Sequence, residues 1–200
     1  MDFKPFAKIP RFSREMIITE KIDGTNGVIA IWNYSDVTDP HMGMIEVENN
    51  GEKYVILAGS RNKWISTVED NAGFAKWAYA NKDELLKLGV GFHYGEWWGS
   101  GIQRGYDLPK GEKRFSLFNV SRWSDDCVRP ACCHVVPTLY SGMFSSTIVT
   151  QVLSDLQREG SQASPGFMRP EGVVIFHTAG GFLFKKTIER DEYHKGESGV

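Results

Sequence analysis

Thr19-Glu20-Lys21-Ile22-Asp23-Gly24-Thr25-Asn26-Gly27 joins two apolar runs, Glu15-Met16-Ile17-Ile18-Thr19-Glu20 before it and Gly27-Val28-Ile29-Ala30-Ile31-Trp32 after it. Both runs read as β-strands, and the turn residues between them are too few for a crossover helix. The junction therefore predicts strands in succession and sets a lysine at the end of a strand, just before a glycine-containing turn. A lysine there can be fixed at a pocket rim while the turn's backbone approaches a phosphate. To act as a nucleophile it must be neutral, which requires burial, neighbouring cations or a metal ion to lower a pKa ordinarily near ~10.4. Taken alone, K-x-D-G is too short to separate this reading from a surface lysine beside a β-turn.

Outward from this junction, further strands are expected at Tyr54-Val55-Ile56-Leu57-Ala58, Phe92-His93-Tyr94-Gly95-Glu96 and Arg114 to Val120, and towards the C-terminus at Gly172-Val173-Val174-Ile175-Phe176 and Gly181-Phe182-Leu183-Phe184-Lys185. Two stretches carry helical spacing. One runs from Asn71 to Leu88, with Phe74, Trp77, Ala78, Leu85 and Leu86 as its apolar set. The other runs from Ser146 to Glu159, with Ile148, Val152 and Leu156 four apart, a serine cap at Ser145 or Ser146 and Gly160 as its stop. The expected class is α+β with antiparallel or mixed sheets, because the strands do not alternate regularly with helices. No dinucleotide-binding glycine fingerprint is present.

The 200 residues are 41% hydrophobic and 24% charged, an ordinary globular composition, and no linker divides them, so a single domain over 1–200 is expected. A net charge of -2 argues against coating nucleic acid through bulk positive charge, so any such contact must be local. No apolar run reaches the length of a bilayer span and Met1-Asp2-Phe3-Lys4-Pro5 lacks a signal-peptide core, which predicts an intracellular, cytoplasmic protein without membrane contact. Cys127, Cys132 and Cys133, an odd set, read as reduced thiols; with His134 they form a cluster whose spacing suits a loop better than a zinc site. The segment from Asp36 to Asn50 reads as surface loop.

Several segments, in order, resemble the covalent nucleotidyltransferase superfamily of DNA ligases, RNA ligases and mRNA capping enzymes. Glu20-Lys21-Ile22-Asp23-Gly24-Thr25-Asn26 looks like its first motif, and Asn26 favours the ATP-dependent RNA ligase branch, close to the RNA-editing ligases. Gly59-Ser60-Arg61 resembles the next motif, Tyr94-Gly95-Glu96-Trp97-Trp98-Gly99 the third, Phe115-Ser116-Leu117-Phe118-Asn119-Val120 the motif called IIIa with Asn119 where Asp is commoner, Pro170-Glu171-Gly172 motif IV, and Phe184-Lys185-Lys186-Thr187 motif V with adjacent lysines in place of K-x-K.

The resemblance implies antiparallel sheets flanked by helices around an ATP cleft. It makes Lys21 the adenylylated nucleophile, with Lys185 and Lys186 neutralising phosphate and Glu171 placed around a Mg2+ or Mn2+ ion. It assigns ATP contacts to Glu20, Asp23, Gly24, Asn26, Arg61, Glu96 at the ribose and Phe118 stacked on adenine. Alternation places Phe115 and Phe118 on opposite faces, so one belongs to the core and the other covers a base. Only one of Lys185 and Lys186 can face the site, with Lys185 favoured. Trp97, Trp98, Gln103, Arg104 and Tyr106 are candidate RNA contacts, although a tryptophan pair is more often packing.

The implied partners are ATP and RNA 5'-phosphate and 3'-hydroxyl ends. About fifteen residues follow Lys185, too few for the oligonucleotide-binding (OB) domain that DNA ligases and capping enzymes add there. This favours a ligase reduced to its catalytic domain, sealing ends with help from an accessory nucleic-acid-binding protein or domain. A piece of a longer protein reads the same way. The competing readings are a DNA-ligase or capping-type domain, and a non-catalytic nucleotide- or RNA-binding module.

Overall fold

The computed structural model describes residues 2–38, 43–189 and 191–192. Along the chain the elements are β1 (Glu15–Lys21), β2 (Thr25–Asn33), β3 (Ile45–Asn49), β4 (Glu52–Gly59), β5 (Trp64–Ile65), α1 (Phe74–Ala80), α2 (Lys82–Leu85), β6 (Gly91–Gly99), β7 (Lys113–Leu117), α3 (Val120–Trp123), β8 (His134–Val135), β9 (Thr138–Met143), α4 (Ser146–Glu159), β10 (Gly172–His177) and β11 (Phe182–Thr187). The chain is mixed α and β, dominated by sheet. No helix among the described residues is long and apolar enough to cross a membrane.

These elements divide into two compact units. One joins the described residues up to Lys21 with those from Pro137 onward, and the other is Ile22–Val136. In the first unit the strand order is β11-β10-β1-β9, antiparallel at every pairing. Alternation sends Met16, Ile18, Val173 and Ile175 to one face, where Leu156 of α4 completes a buried cluster. The helix follows the sequence reading closely. Ser145 Oγ accepts from Ile148 N at 3.4 Å, and Gly160, at φ 86°, ends the helix in a conformation other residues rarely adopt.

In the second unit the order is β3-β4-β2-β6-β7-β8 with β5 on β4, antiparallel except for β7 and β8. Ile29, Ile31, Ile56, Phe74, Leu85, Trp97 and Phe115 pack between this sheet and the short helices. Burying each of these side chains contributes roughly 1.5–3 kcal/mol, which is what holds such short helices in place.

Three expectations are corrected. The helix foreseen from Asn71 to Leu88 starts at Phe74, where the Asp70 carboxylate accepts from Ala75 N at 2.8 Å. It breaks at Asn81, whose side-chain amide donates to Trp77 O at 2.8 Å and competes with the helical ladder. The strand foreseen to Val120 stops at Leu117, because Asn119 accepts from Arg122 N at 3.2 Å and caps α3 instead. The Asp36–Asn50 segment is not all loop. Ile45 and Val47 alternate with glutamates and are buried as β3, while residues 39–42 lie outside the described residues.

Candidate functional site

In the first unit, Lys21 is the last residue of β1 and Glu171 immediately precedes β10, which pairs with it. Their side chains meet, with Lys21 Nζ 2.5 Å from Glu171 Oε2, both largely screened from solvent. Gly172 makes this approach of strands possible. At φ 154°, a Cβ there would lie 2.3 Å from the Lys186 carbonyl oxygen of β11. The register runs Lys21 to Gly172 to Thr187, and two residues away Thr19 to Val174 to Lys185. Directly opposed residues share a face, so Lys185 lies on the Lys21 face, roughly 10 Å across the sheet and 7 Å along it. Lys186 takes the opposite face, where its ammonium is 3.3 Å from Asp191.

Glu20 also takes the face opposite Lys21. Its carboxylate is buried and accepts from Ser161 Oγ at 2.5 Å, Gln162 N at 2.8 Å and Ala163 N at 2.9 Å, tying β1 to the turn after α4. Burial raises its pKa from the ordinary 4.5 against the lowering effect of these three bonds. The sequence reading missed Ser161, Gln162 and Ala163, seeing only a helix end there. A serine just past the helix-stopping glycine was the available signal. A cavity of about 560 Å3 also lies in this unit, lined by Phe12, Phe144, Ile175, Phe182, Phe184 and Lys186 among others. Most of its lining belongs to the α4 side of the sheet, with Lys185 at its border.

In the second unit the turn between β1 and β2 is built around Glu96 of β6. Glu96 Oε1 accepts from Gly24 N at 3.1 Å, and Oε2 accepts from Asn26 Nδ2 at 3.2 Å across the Asn26–Glu96 register pair. Gly24 cannot be replaced without a shift, since a Cβ would lie 2.5 Å from the Trp97 carbonyl oxygen. Asp23 is held twice: its backbone N–H donates to the Tyr106 hydroxyl at 2.7 Å, and its carboxylate accepts from Arg104 Nε at 3.1 Å. The supporting loop places Gln103, Tyr106 and Asp107 in left-handed backbone conformations, the kind of strain that persists where surrounding contacts fix it.

This corrects the expectation for the run after Glu96. Trp97, Trp98 and Tyr106 are buried and cannot offer their faces to bases, while Arg104 and Tyr106 position Asp23. Trp97 Nε1 donates to Ala72 O at 3.0 Å and Trp98 Nε1 to Ser116 Oγ at 2.9 Å, so both indoles are fixed as packing. Phe115 is buried in the core and Phe118 is 42% exposed, donating its N–H to Tyr94 O at 3.0 Å. Arg61 is exposed in the turn between β4 and β5, where Ser60 N donates to Lys63 O at 2.8 Å. The cysteines show no ligand set: Cys127 is exposed, Cys133 is buried, and the Cys132 and Cys133 sulfurs are 3.9 Å apart. Among the described residues, no group of three or more His, Cys, Asp and Glu side chains could hold a metal ion.

Residues 14–187 match the RNA ligase family, and the chain belongs to that family. No curated protein matches it in sequence. Among solved structures it is similar to Naegleria gruberi RNA ligase with PPi, at 20% identity and a TM-score of 0.55 over 86% of this chain and 49% of that one. A mutant of that ligase with ATP and Mn gives 19% identity and 0.59 over 92% and 53%, and a mutant with AMP and Mn 18% and 0.59 over 88% and 50%. The chain thus spans about half the length of the structures it matches, and at these identities the likeness is one of fold.

Proposed function

We propose that this chain is the nucleotidyltransferase part of an ATP-dependent RNA ligase, acting inside the cell as one adenylyltransferase domain. The observation that carries the proposal is the Lys21–Glu171 pair, a lysine at a strand end held 2.5 Å from a largely buried carboxylate, in a chain of the RNA ligase family. The two residues are 150 apart in the sequence and are brought together by the β1–β10 pairing.

In this reading Lys21 Nζ, after losing a proton, attacks the α-phosphorus of ATP. A P–N bond forms, the bond to the bridging oxygen breaks, and pyrophosphate leaves with the electron pair. AMP then passes from Lys21 to an RNA 5'-phosphate, and a 3'-hydroxyl displaces it to seal the strand. These are in-line transfers, so positioning and charge neutralisation supply most of the acceleration. Lys185, on the Lys21 face, is the phosphate-neutralising lysine, and Lys186 steadies β11 through Asp191.

Glu96 and Asn26 form the polar set for the ribose, Arg61 contacts the nucleotide or RNA end, and Phe118 offers a ring to adenine. Asp23 and Gly24 shape the turn. Glu20 acts indirectly, by fixing β1 against the turn after α4. A hard divalent cation fits Glu171, a lone oxygen donor of the kind that binds Mg2+ or Mn2+ together with substrate phosphates. Glu171 would hold such an ion, and the chemistry supplied there would be neutralisation of phosphate charge.

The test is labelling of the purified chain with radioactive ATP and, separately, GTP. Label from ATP alone, absent in Lys21→Ala, is expected. Label from GTP supports a capping-type enzyme, and label retained by folded Lys21→Ala refutes the nucleophile.

A further inference from the structure

On β6, alternation places Phe92 and Tyr94 on the same face as Glu96, whereas His93, Gly95 and Trp97 face the core. The register confirms the common face, pairing Glu96 with Asn26, Tyr94 with Val28 and Phe92 with Ala30. Side chains this large on a sheet face are normally covered, yet Phe92 is 51% and Tyr94 57% exposed. Their rings are nearly parallel, 6.1 Å apart with an interplanar angle of 9°. Trp64 stacks against Phe92 at 6.3 Å, and Trp32 meets it edge-on at 5.3 Å. Phe118 lies on the next strand path beside Tyr94. The result is an aromatic surface running away from Glu96 for about 13 Å along β6.

Arg61 and Lys63 are exposed in the tight turn that leads directly into Trp64, with Lys63 Nζ in a loose, exposed pair 4.0 Å from Glu69. Glu46 and Glu48 of β3 share this face further along β4, the strand that β5 also joins, with Glu48 directly opposite Lys53. Exposed Phe92 and Tyr94, continued by the half-buried Trp64 and Trp32 and bordered by the Arg61–Lys63 turn, suit stacked bases whose phosphates follow that turn.

We infer that Phe92, Tyr94, Trp64 and Trp32 form a stacking platform for unpaired bases of the RNA strand being joined, with Lys63 and Arg61 meeting its phosphates. This rests on the ligase reading above and adds to it a site for single-stranded RNA on the sheet face that carries Glu96. The tryptophan pair after Glu96, which the sequence suggested for this task, is buried; the platform lies before Glu96 instead.

The experiment is fluorescence anisotropy of a labelled 12-nucleotide oligouridylate titrated with the full chain in the absence of ATP, alongside AMP labelling of the same proteins. Phe92→Ala is expected to weaken RNA binding about ten-fold or more, while Phe92→Tyr, which keeps the ring, stays within about two-fold of the starting chain. AMP labelling should be unchanged in both variants. Equal binding by Phe92→Ala, equal loss in Phe92→Tyr, or no binding by the unaltered chain overturns the platform. So does self-association abolished by Phe92→Ala without an effect on RNA, which would make the patch an interface between copies. Failure of the unaltered chain to label with ATP is a different result: it counts against the ligase reading and leaves the anisotropy outcome to stand by itself.

Discussion

Glu20 and Lys21 are neighbours in the chain and leave β1 on opposite faces. The glutamate turns towards α4, where Ser161, Gln162 and Ala163 hold it, and the lysine turns to Glu171. One peptide unit thus joins a structural anchor to the proposed nucleophile. Any movement of the anchored turn is transmitted to Lys21 through a single strand.

This division of labour predicts different outcomes for the two residues. Glu20→Ala leaves one hydroxyl and two backbone N–H groups without their acceptor and should lower stability by about 1–3 kcal/mol. Lys21→Ala should leave the chain folded but unable to form an AMP adduct. Chemical denaturation and ATP labelling, run on both variants, separate the two effects.

Glu20 also imposes a pH dependence. A carboxyl with a raised folded pKa binds its proton more tightly in the folded than in the unfolded chain. Its contribution therefore favours folding below the ordinary value of 4.5 and is lost as pH rises through the raised value. Glu20→Gln can keep the two backbone bonds through its oxygen and turn the third round, its amide donating to Ser161 Oγ, without titrating, so its stability should fall less than that of the unaltered chain as pH rises from 4.5. Denaturation midpoints across that range check this, and parallel curves would contradict it.

Much of this arrangement follows from local pattern. Helix α4 was legible from end to end because Ser145 and Gly160 mark its limits. The strands around Lys21 were legible because each is apolar and bounded by turn residues. Asn81 breaks the expected Asn71–Leu88 helix through its own side chain, which apolar spacing does not register. β3 was hidden because its two core residues, Ile45 and Val47, sit among glutamates in a turn-rich stretch. What no local pattern contains is the pairing of residues distant in sequence. Glu171 meets Lys21, and Ser161 meets Glu20, only because β10 and α4 return to β1. The same holds for faces: Trp98 and Phe92 have the same parity on β6, but the left-handed loop through Tyr106 covers one and leaves the other open.

The register distinguishes the two lysines of β11. Lys185→Ala, on the Lys21 face, should slow AMP transfer by one or more orders of magnitude, as expected when a charged group stabilising developing negative charge is removed. Lys186→Ala, on the other face and paired with Asp191, should act mainly on stability and cost no more than about 1 kcal/mol. Single-turnover labelling rates and unfolding midpoints measured together decide between them, and the reverse pattern would transfer the role to Lys186.

Gly24 supports a fourth prediction. A Cβ at this position would lie 2.5 Å from the Trp97 carbonyl oxygen, so Gly24→Ala must push the turn away from Glu96. The loss should be roughly 1–3 kcal/mol of stability together with weaker ATP binding. Tyr106→Phe, which removes only the hydroxyl that accepts from Asp23 N, should produce a milder form of the same ATP defect. Thermal shift with and without ATP measures both.

Intact mass of the purified chain with and without ATP and Mg2+, followed by peptide mapping, reads the proposed adduct on Lys21 itself. An AMP-sized increment that maps to Lys21 and vanishes in Lys21→Ala is expected. An increment mapping to another residue, or none with either Mg2+ or Mn2+, would contradict it.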